Sequence, residues 1–450
     1  MLPPRRQHVV GIVHVVAVTE GLMHASDPRR GLLQDMFAAA VAAASPARCL
    51  PRYLPRRPPA GRTLVLGAGK AAVAMAAVAT RHLAGPVSGL VATRYGHGGD
   101  RPVAGIAIIE AGHPIPDAAS ATAARRMLKL AAALTPRDRL VFLASGGGSA
   151  TAALPLPGLD LARKQALVRH LLRSGATIAE INCLRRHVSA IKGGRLAAAC
   201  GTRDIRSLAI SDVAGDDPAA IASGPTLPDP TTLEDARAVL ERHGAPDMAA
   251  VLRVLSDPAA ETPKRLPGRT ICRIVASGRT ALDAAAAHAR AAGYDIVDLG
   301  DRVEGEAAAE ARAQARMALE LHAAGRRAAI VSGGELTVSL GQATGRGGPN
   351  QEYLAALALA LKGAAGISAI ACDSDGIDGN GEAAGAVVTP GTLARARLAD
   401  RDPADCIARH DSQALFAASG DLVMTGPTGT NVNDIRVILI DPDDMSPDRA

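Results

Sequence analysis

From residue 63 onward, short apolar runs alternate with longer segments in which apolar residues recur every three or four positions. That alternation predicts strands followed by helices. In the first half it places strands at 63–67, 87–93, 105–110, 139–144 and 206–211, and helices at about 70–83, 117–133, 160–173 and 231–242. An earlier helix is expected from Gly31, where Leu32, Leu33, Met36 and Phe37 recur at helical spacing, and the Pro-rich stretch 51–59 then leads to the first strand. Such an order builds a mostly parallel sheet covered on both faces. A second set follows the charged, Pro-containing stretch 257–269, which reads as the linker. It has strands at 271–276, 295–299, 327–332, 335–340, 367–372 and 435–440, and helices at 279–292, 306–323 and 350–362. The strands flanking Gly333 and Gly334 read as a hairpin, so this sheet is expected to be mixed.

Composition narrows the function. At 450 residues, 48% apolar and 21% charged, the chain is a globular one with room for two or three cores. Its formal charge of +6 is spread along the sequence, without basic runs interleaved with aromatics. That argues against nucleic acid and fits an acidic or phosphorylated small substrate. Cys49, Cys183, Cys200, Cys272, Cys372 and Cys406 are scattered without a paired spacing, so neither zinc nor a disulfide framework is expected, and the compartment is expected to be the cytoplasm. The apolar run 9–18 is too short to cross a bilayer as a helix. Residues 1–30 are therefore read as a poorly ordered N-terminal extension.

Only 6 of the 50 basic residues are Lys, which sets Lys70 apart. It follows a strand, Gly67 and Gly69, and opens an Ala-rich helix. Such a turn aims backbone N–H groups at one spot, and a lysine adds a compact positive charge to it. Further glycine turns follow apolar strands: Ser145, Gly146, Gly147, Gly148 and Ser149; Ser277 and Gly278; Gly333, Gly334 and Glu335. In open α/β sheets the carboxyl ends of the strands are where ligands bind. The Walker A pattern fails, because Leu64 stands where it needs Gly and Ala71 where it needs Ser or Thr. The dinucleotide fingerprint matches in part through Gly67, Gly69 and Ala72, but the next strand ends in Arg94 rather than an acid. An arginine there suits the extra phosphate of NADP.

Asp212 ends another strand, with Asp216 and Asp217 behind it, and Asp373, Asp375 and Asp378 crowd a loop after a third. Magnesium is held by one or two such carboxylates together with phosphate oxygens. The loop 345–352 carries Arg346 and Asn350, and the loop 425–434 carries Thr430, Asn431 and Asn433. Amides and hydroxyls on glycine scaffolds suit a hydroxylated or phosphorylated ligand. Lys192 and Arg195 flank a glycine pair and read as a basic helix break, while His113 is expected to be structural.

Taken in order, these segments resemble the glycerate 2-kinase family, whose C-terminal part is the MOFRL region, over about residues 31–442. The resemblance implies two three-layer α/β/α domains with the active site in the cleft between them. The first is Rossmann-like and spans 31–262; the second spans 263–450, with its MOFRL region at about 326–442. It also implies phosphorylation of D-glycerate at its 2-hydroxyl by ATP with Mg2+ or another divalent cation. Lys70 and Asp212 match catalytic positions of the family. Arg346 is the cation nearest to the one that many relatives carry where this chain has Pro349. Substrate or nucleotide contacts are expected from Gly67, Gly69, Ser145, Gly146, Gly147, Gly148, Ser149, Gly333, Gly334, Glu335, Asn350, Thr430, Asn431 and Asn433, and metal contacts from Asp375 and Asp378. Gly278 stands where Asn is expected in many relatives, so a contact there is in doubt. A homodimer is carried as an expectation. Family members also carry hydroxypyruvate reductase labels, so an NADP-linked reductase is the alternative, and a non-catalytic sugar-acid binding protein a further one.

Overall fold

A computed structural model describes residues 27–266, 268–341 and 343–442, so the expected N-terminal extension lies outside the described residues up to position 26. Residues 27–30 belong to the fold instead. Asp27 caps the helix Pro28–Ala44, accepting the Arg29 N–H at 3.0 Å and the Ser368 hydroxyl at 2.7 Å.

Six parallel strands form the first sheet: β1 (Thr63–Ala68), β2 (Val87–Arg94), β3 (Ile106–Ala111), β4 (Arg139–Ala144), β5 (Asp204–Ile210) and β6 (Arg269–Ala276). Their order is β3-β2-β1-β4-β5-β6, so the winding reverses between β1 and β4. A crevice opens at the carboxyl ends of strands where such a reversal occurs. The expected division at 262/263 does not follow this sheet. β6, which was expected to open the second set, pairs with β5 and completes the first.

Beyond β6 come β7 (Asp295–Asp298), β8 (Gly305–Glu306), β9 (Ala328–Gly334), β10 (Leu336–Thr337), β11 (Ile367–Asp373), β12 (Gly385–Val388), β13 (Leu422–Val423) and β14 (Asp434–Ile440). The second sheet runs β13-β12-β11-β14-β9-β7, with β14 antiparallel to both β9 and β11 and β7 parallel to β9. It is mixed, but not through a hairpin at Gly333 and Gly334. β10 leaves the sheet and pairs in parallel with β8.

Apolar residues on both faces of both sheets demand cover. Leu33, Met36, Phe37 and Ala40 of helix Pro28–Ala44 recur at helical spacing, and helix Gly278–Ala291 buries Ala281, Leu282, Ala285 and Ala289. Together with helix Ala72–His82 they join one apolar cluster that runs from Val65, Val91 and Val141 of the first sheet to Val331, Ile370 and Val437 of the second. The opposite face of the first sheet packs on helix Ala118–Ala132, and that of the second on helices Ala307–Ala323 and Pro349–Leu361. Each sheet is thus a middle layer, and the two share the core between them. Helices Leu161–Arg173, Ile178–His187, Leu233–His243 and Met248–Leu255 bury a separate cluster as a lobe beside the first sheet. Among the described residues no helix is long and apolar enough to cross a membrane, and all six cysteines are free.

Candidate active site

Two turns are clasped together where the strand order reverses. After β1 the chain passes through Gly69 at φ +122°, a backbone conformation that side-chain-bearing residues rarely adopt. The Lys70 N–H then donates to the Gly146 carbonyl at 2.8 Å, and the Ala71 N–H to Ser145 Oγ at 3.0 Å. The clasp turns the Lys70 side chain towards the second sheet, where its ammonium forms an ion pair with Asp375 Oδ2. Burial works against the charge on Lys70, but Asp373 and Asp375, with Asp212 behind them, hold its pKa above the ordinary lysine value. Lys70 is therefore a fixed cation.

Asp212 leaves the end of β5 and is held from the other sheet. Asn431 Nδ2 donates to its Oδ2 at 3.0 Å, and Asn433 Nδ2 donates to its carbonyl at 2.6 Å. The space a Cβ of Gly146 would need is filled by the Asp212 carboxylate and the Asn431 amide, so a glycine is required there for this approach. Asp373, at the end of β11, accepts the Asp375 N–H at 2.8 Å, and the Thr428 N–H and Val432 N–H tie the loop 425–433 to the Asp375 carbonyl and Ser374 Oγ. Burial pushes the carboxyls of Asp212 and Asp373 up, the latter further because Asp375 adjoins it. Glu335 stands on the solvent side, within electrostatic reach of Asp212 and Lys70. The cluster holds more carboxylates than cations.

Other expected site residues have local work. Gly67 lies inside β1, where a Cβ would stand 2.9 Å from the Leu143 carbonyl and 3.1 Å from Val91 Cγ1, so it is small for packing. Gly333 and Gly334 let the segment 300–303 cross the end of β9. The Ser149 hydroxyl meets the Ser223 hydroxyl at 2.7 Å, and Gly148 packs against Ala222. The Thr430 hydroxyl donates to the Ala44 carbonyl at 2.8 Å and anchors the N-terminal helix. Asp378 accepts N–H bonds from the backbone and side-chain amides of both Asn350 and Gln351, fixing the start of helix Pro349–Leu361. Burial and Asp434 push its pKa up to about 7 against those donors. Both Asp378 oxygens are thus engaged by Asn350 and Gln351, and the Asn350 side-chain amide also donates to Asp434 at 2.6 Å. Arg346 is exposed and pairs with Glu382 at 3.6 Å, while its backbone bonds to Asp411 and Gln413. The structure does not bring it to Lys70. Beside Gly278 the space is lined by Asp301 and the Val432 carbonyl.

What the sequence reading passed over is a cavity of about 320 Å³ that meets the cluster at Gly147 and His113. A Cβ on Gly147 would stand 2.9 Å from His113 Cδ2 and 3.5 Å from Lys70 Cγ. Burial, with Lys70 nearby, lowers the His113 pKa to about 4, so this ring is neutral at pH 7. Lys164, Arg185 and Lys192 line the cavity wall, and Lys164 and Lys192 are only 4% and 1% exposed. Lys164 shares the buried stripe of its helix with Leu167 and Leu171. A lysine on an apolar stripe was the signal available in the sequence.

No group of three or more His, Cys, Asp or Glu side chains among the described residues forms a metal site. A divalent cation arriving on phosphate oxygens needs only one or two carboxylates, however, and the acid-rich cluster around Asp373 and Asp375 fits that requirement.

Residues 32–256 match the family described as Domain of unknown function (DUF4147), and residues 328–434 match the MOFRL family. A D-glycerate 2-kinase of Thermotoga maritima is 38% identical over 384 residues, 84% of this chain and 91% of that protein. The chain belongs to the glycerate 2-kinase family. A crystal structure of glycerate kinase from Thermotoga maritima superposes with a TM-score of 0.81 at 36% identity, covering 92% of this chain and 99% of that one. An Agrobacterium vitis relative, 50% identical over 91% of this chain and 94% of its own length, is provisionally named hydroxypyruvate reductase. Lys70 and Asp212 stand within electrostatic reach of each other, whereas Arg346, the arginine of the loop 345–352, pairs with Glu382.

Proposed function

We propose that this chain transfers the terminal phosphoryl group of ATP to the 2-hydroxyl of D-glycerate, giving 2-phosphoglycerate. The observation that carries the reading is the gathering of Lys70 and Asp212, within electrostatic reach of each other at the strand ends, in a chain alike over its length to proteins named glycerate kinase. Phosphoryl transfer asks a protein chiefly for positioning and charge neutralisation. The 2-hydroxyl oxygen bonds to the terminal phosphorus, the bond from that phosphorus to its bridging oxygen breaks, ADP leaves, and the hydroxyl proton passes to Asp212. Asn431 holds one carboxylate oxygen of Asp212 and leaves the other for that proton. Lys70 neutralises the transferring oxygens. Magnesium brought in with ATP, with Asp373 and Asp375 as its carboxylate donors, supplies further neutralisation when bound. A cytoplasmic location is proposed from the free cysteines.

The reductase reading rests on the partial fingerprint of Gly67 and Gly69 with Arg94, and on the names of relatives such as the Agrobacterium vitis protein. Against it, Gly69 closes on Ser145 and on the Gly146 carbonyl, so the glycine turn meets protein where a dinucleotide would lay its pyrophosphate. The deciding assay gives the protein D-glycerate with ATP and magnesium, and separately hydroxypyruvate with NADPH, and identifies the phosphorylated product by NMR. We expect ADP and 2-phosphoglycerate from the first. NADPH oxidation without ADP formation overturns the kinase, and silence in both assays points to a binding protein.

A further inference from the structure

The cavity beneath helix Leu161–Arg173 is charged in a way the Lys70 cluster is not. Its lining holds Lys164, Arg185 and Lys192 and no carboxylate, with Arg169 also on the wall. Lys164 Nζ is buried and makes no hydrogen bond to any described residue. Lys192 Nζ reaches only the carbonyls of Ala152 and Ala222, at 3.4 and 3.3 Å, and Arg185 meets Asn182 Oδ1 at 3.4 Å. A buried ammonium without a counter-charge is costly, and a bound anion removes that cost.

Charge number decides which anion. D-Glycerate carries one carboxylate, whereas three converging basic side chains without an acid suit a ligand of several negative charges, which would hold them protonated. Most of the remaining wall is apolar, with His113, Ser149 and Gln165 as its polar members and Ile115 and Leu172 half exposed at 50% and 60%, which suits a sugar or base at the mouth. The cavity meets the Lys70 cluster at Gly147. Lys is rare here, yet three of the chain's six, Lys70, Lys164 and Lys192, gather at this one place.

We propose that this cavity binds the triphosphate chain of the phosphoryl donor, with Lys164, Arg185 and Lys192 as its counter-charges and its terminal phosphate at the Gly147 end. The assignment rests on the kinase reading and says where that enzyme puts its nucleotide. Glycerate is then left to the acidic side, at Asp212.

Calorimetric titration of the full chain with inorganic tripolyphosphate, and separately with D-glycerate, tests it. Lys164→Met keeps the side-chain length and removes the charge. It should weaken tripolyphosphate at least about tenfold, the scale of one lost charge-assisted contact, and leave glycerate binding unchanged. Arg185→Gln, at a half-buried side chain, should act the same way, and thermal unfolding of each variant checks that it is folded. Loss of glycerate affinity with tripolyphosphate unchanged overturns the proposal, because the cavity then holds the carboxylate. Unchanged affinity for both also overturns it. The two readings fail separately: a wild-type chain that makes phosphoglycerate while Lys164→Met binds tripolyphosphate normally keeps the kinase and loses this cavity. Lys164-dependent tripolyphosphate binding by a chain with no kinase activity does the reverse.

Discussion

On one side of Gly147 a single lysine is surrounded by Asp212, Asp373 and Asp375; on the other, two lysines and an arginine face a cavity without an acid. The first cluster is built by loops from both sheets and cross-linked, as in the bonds from Asn431 and Asn433 to Asp212. The second is built by basic side chains beside the helical lobe, and its Lys164 ammonium has no hydrogen-bond partner among the described residues. A group already held by protein is set up to act on a bound substrate, whereas an unpaired buried charge is set up to bind one. The difference separates positioning chemistry from anion capture within one crevice.

The sharpest way to break that division is Asp212→Asn. It keeps the shape and the bond from Asn433 to the backbone but cannot accept a proton. We expect kcat to fall about a thousandfold, within the range of lost general-base catalysis, with glycerate KM little changed. Steady-state kinetics with D-glycerate check it; near-normal kcat would make Asp212 an inter-sheet tie only. Lys70→Ala should lose at least about a hundredfold in kcat, the scale of one electrostatic contact to a transition state. Full turnover in that variant would reduce Lys70 to an ion-pair partner of Asp375.

The acidic side was legible in the sequence and the basic side was not. Lys70, Ser145, Asp212 and Asp373 all stand at or just beyond the ends of apolar strands, and the topology of an open sheet gathers such ends. The same reasoning misled at Asn350, Thr430 and Asp378. Polar residues in glycine loops also serve to satisfy buried backbone groups, as Asp378 and Thr430 do at helix ends, while the Asn350 amide donates to Asp378 and Asp434. Lys164 and Arg185 sit inside amphipathic helices, where a long cation reads as surface unless its register with Leu167 and Leu171 is followed. β6 belongs to the first sheet although it follows the charged, Pro-containing stretch 257–269, because a parallel sheet accepts a strand after any long crossover. β12 and β13 were missed because strands of four and two residues carry too little pattern.

A smaller effect sharpens the contrast through stability. Burial, with Arg185 nearby, lowers the Lys164 pKa to about 7, and burial, with Lys164 and Arg185 nearby, lowers that of Lys192 well below the ordinary lysine value. Between the Lys164 value and the ordinary lysine range, the unfolded chain binds the proton more tightly than the folded one, so stability rises with pH across this window. Below pH 7 the penalty for the buried charge is fully present. Lys164→Met should therefore unfold later than wild type at pH 6, by about 2 kcal/mol, and the gain should shrink towards pH 10. Denaturant unfolding at both pH values measures it. A loss of stability at pH 6 would mean that Lys164 has a protein partner and is not held open for an anion.

The smallest expected effect concerns a residue that sequence reasoning favoured. Arg346 is exposed, its guanidinium reaches Glu382 across 3.6 Å, and exposed pairs of this kind contribute little. The loop around it is held by Asp411 and Gln413. Arg346 is the only cation of the loop 345–352. Arg346→Ala should accordingly change kcat/KM for D-glycerate and for ATP by less than about twofold, as surface substitutions do. A loss of a hundredfold would instead require the loop to reach the transferring phosphate once both substrates are bound. Transition-state charge would then be met from three directions, and the division between an acidic positioning side and a basic capturing side would no longer describe the crevice.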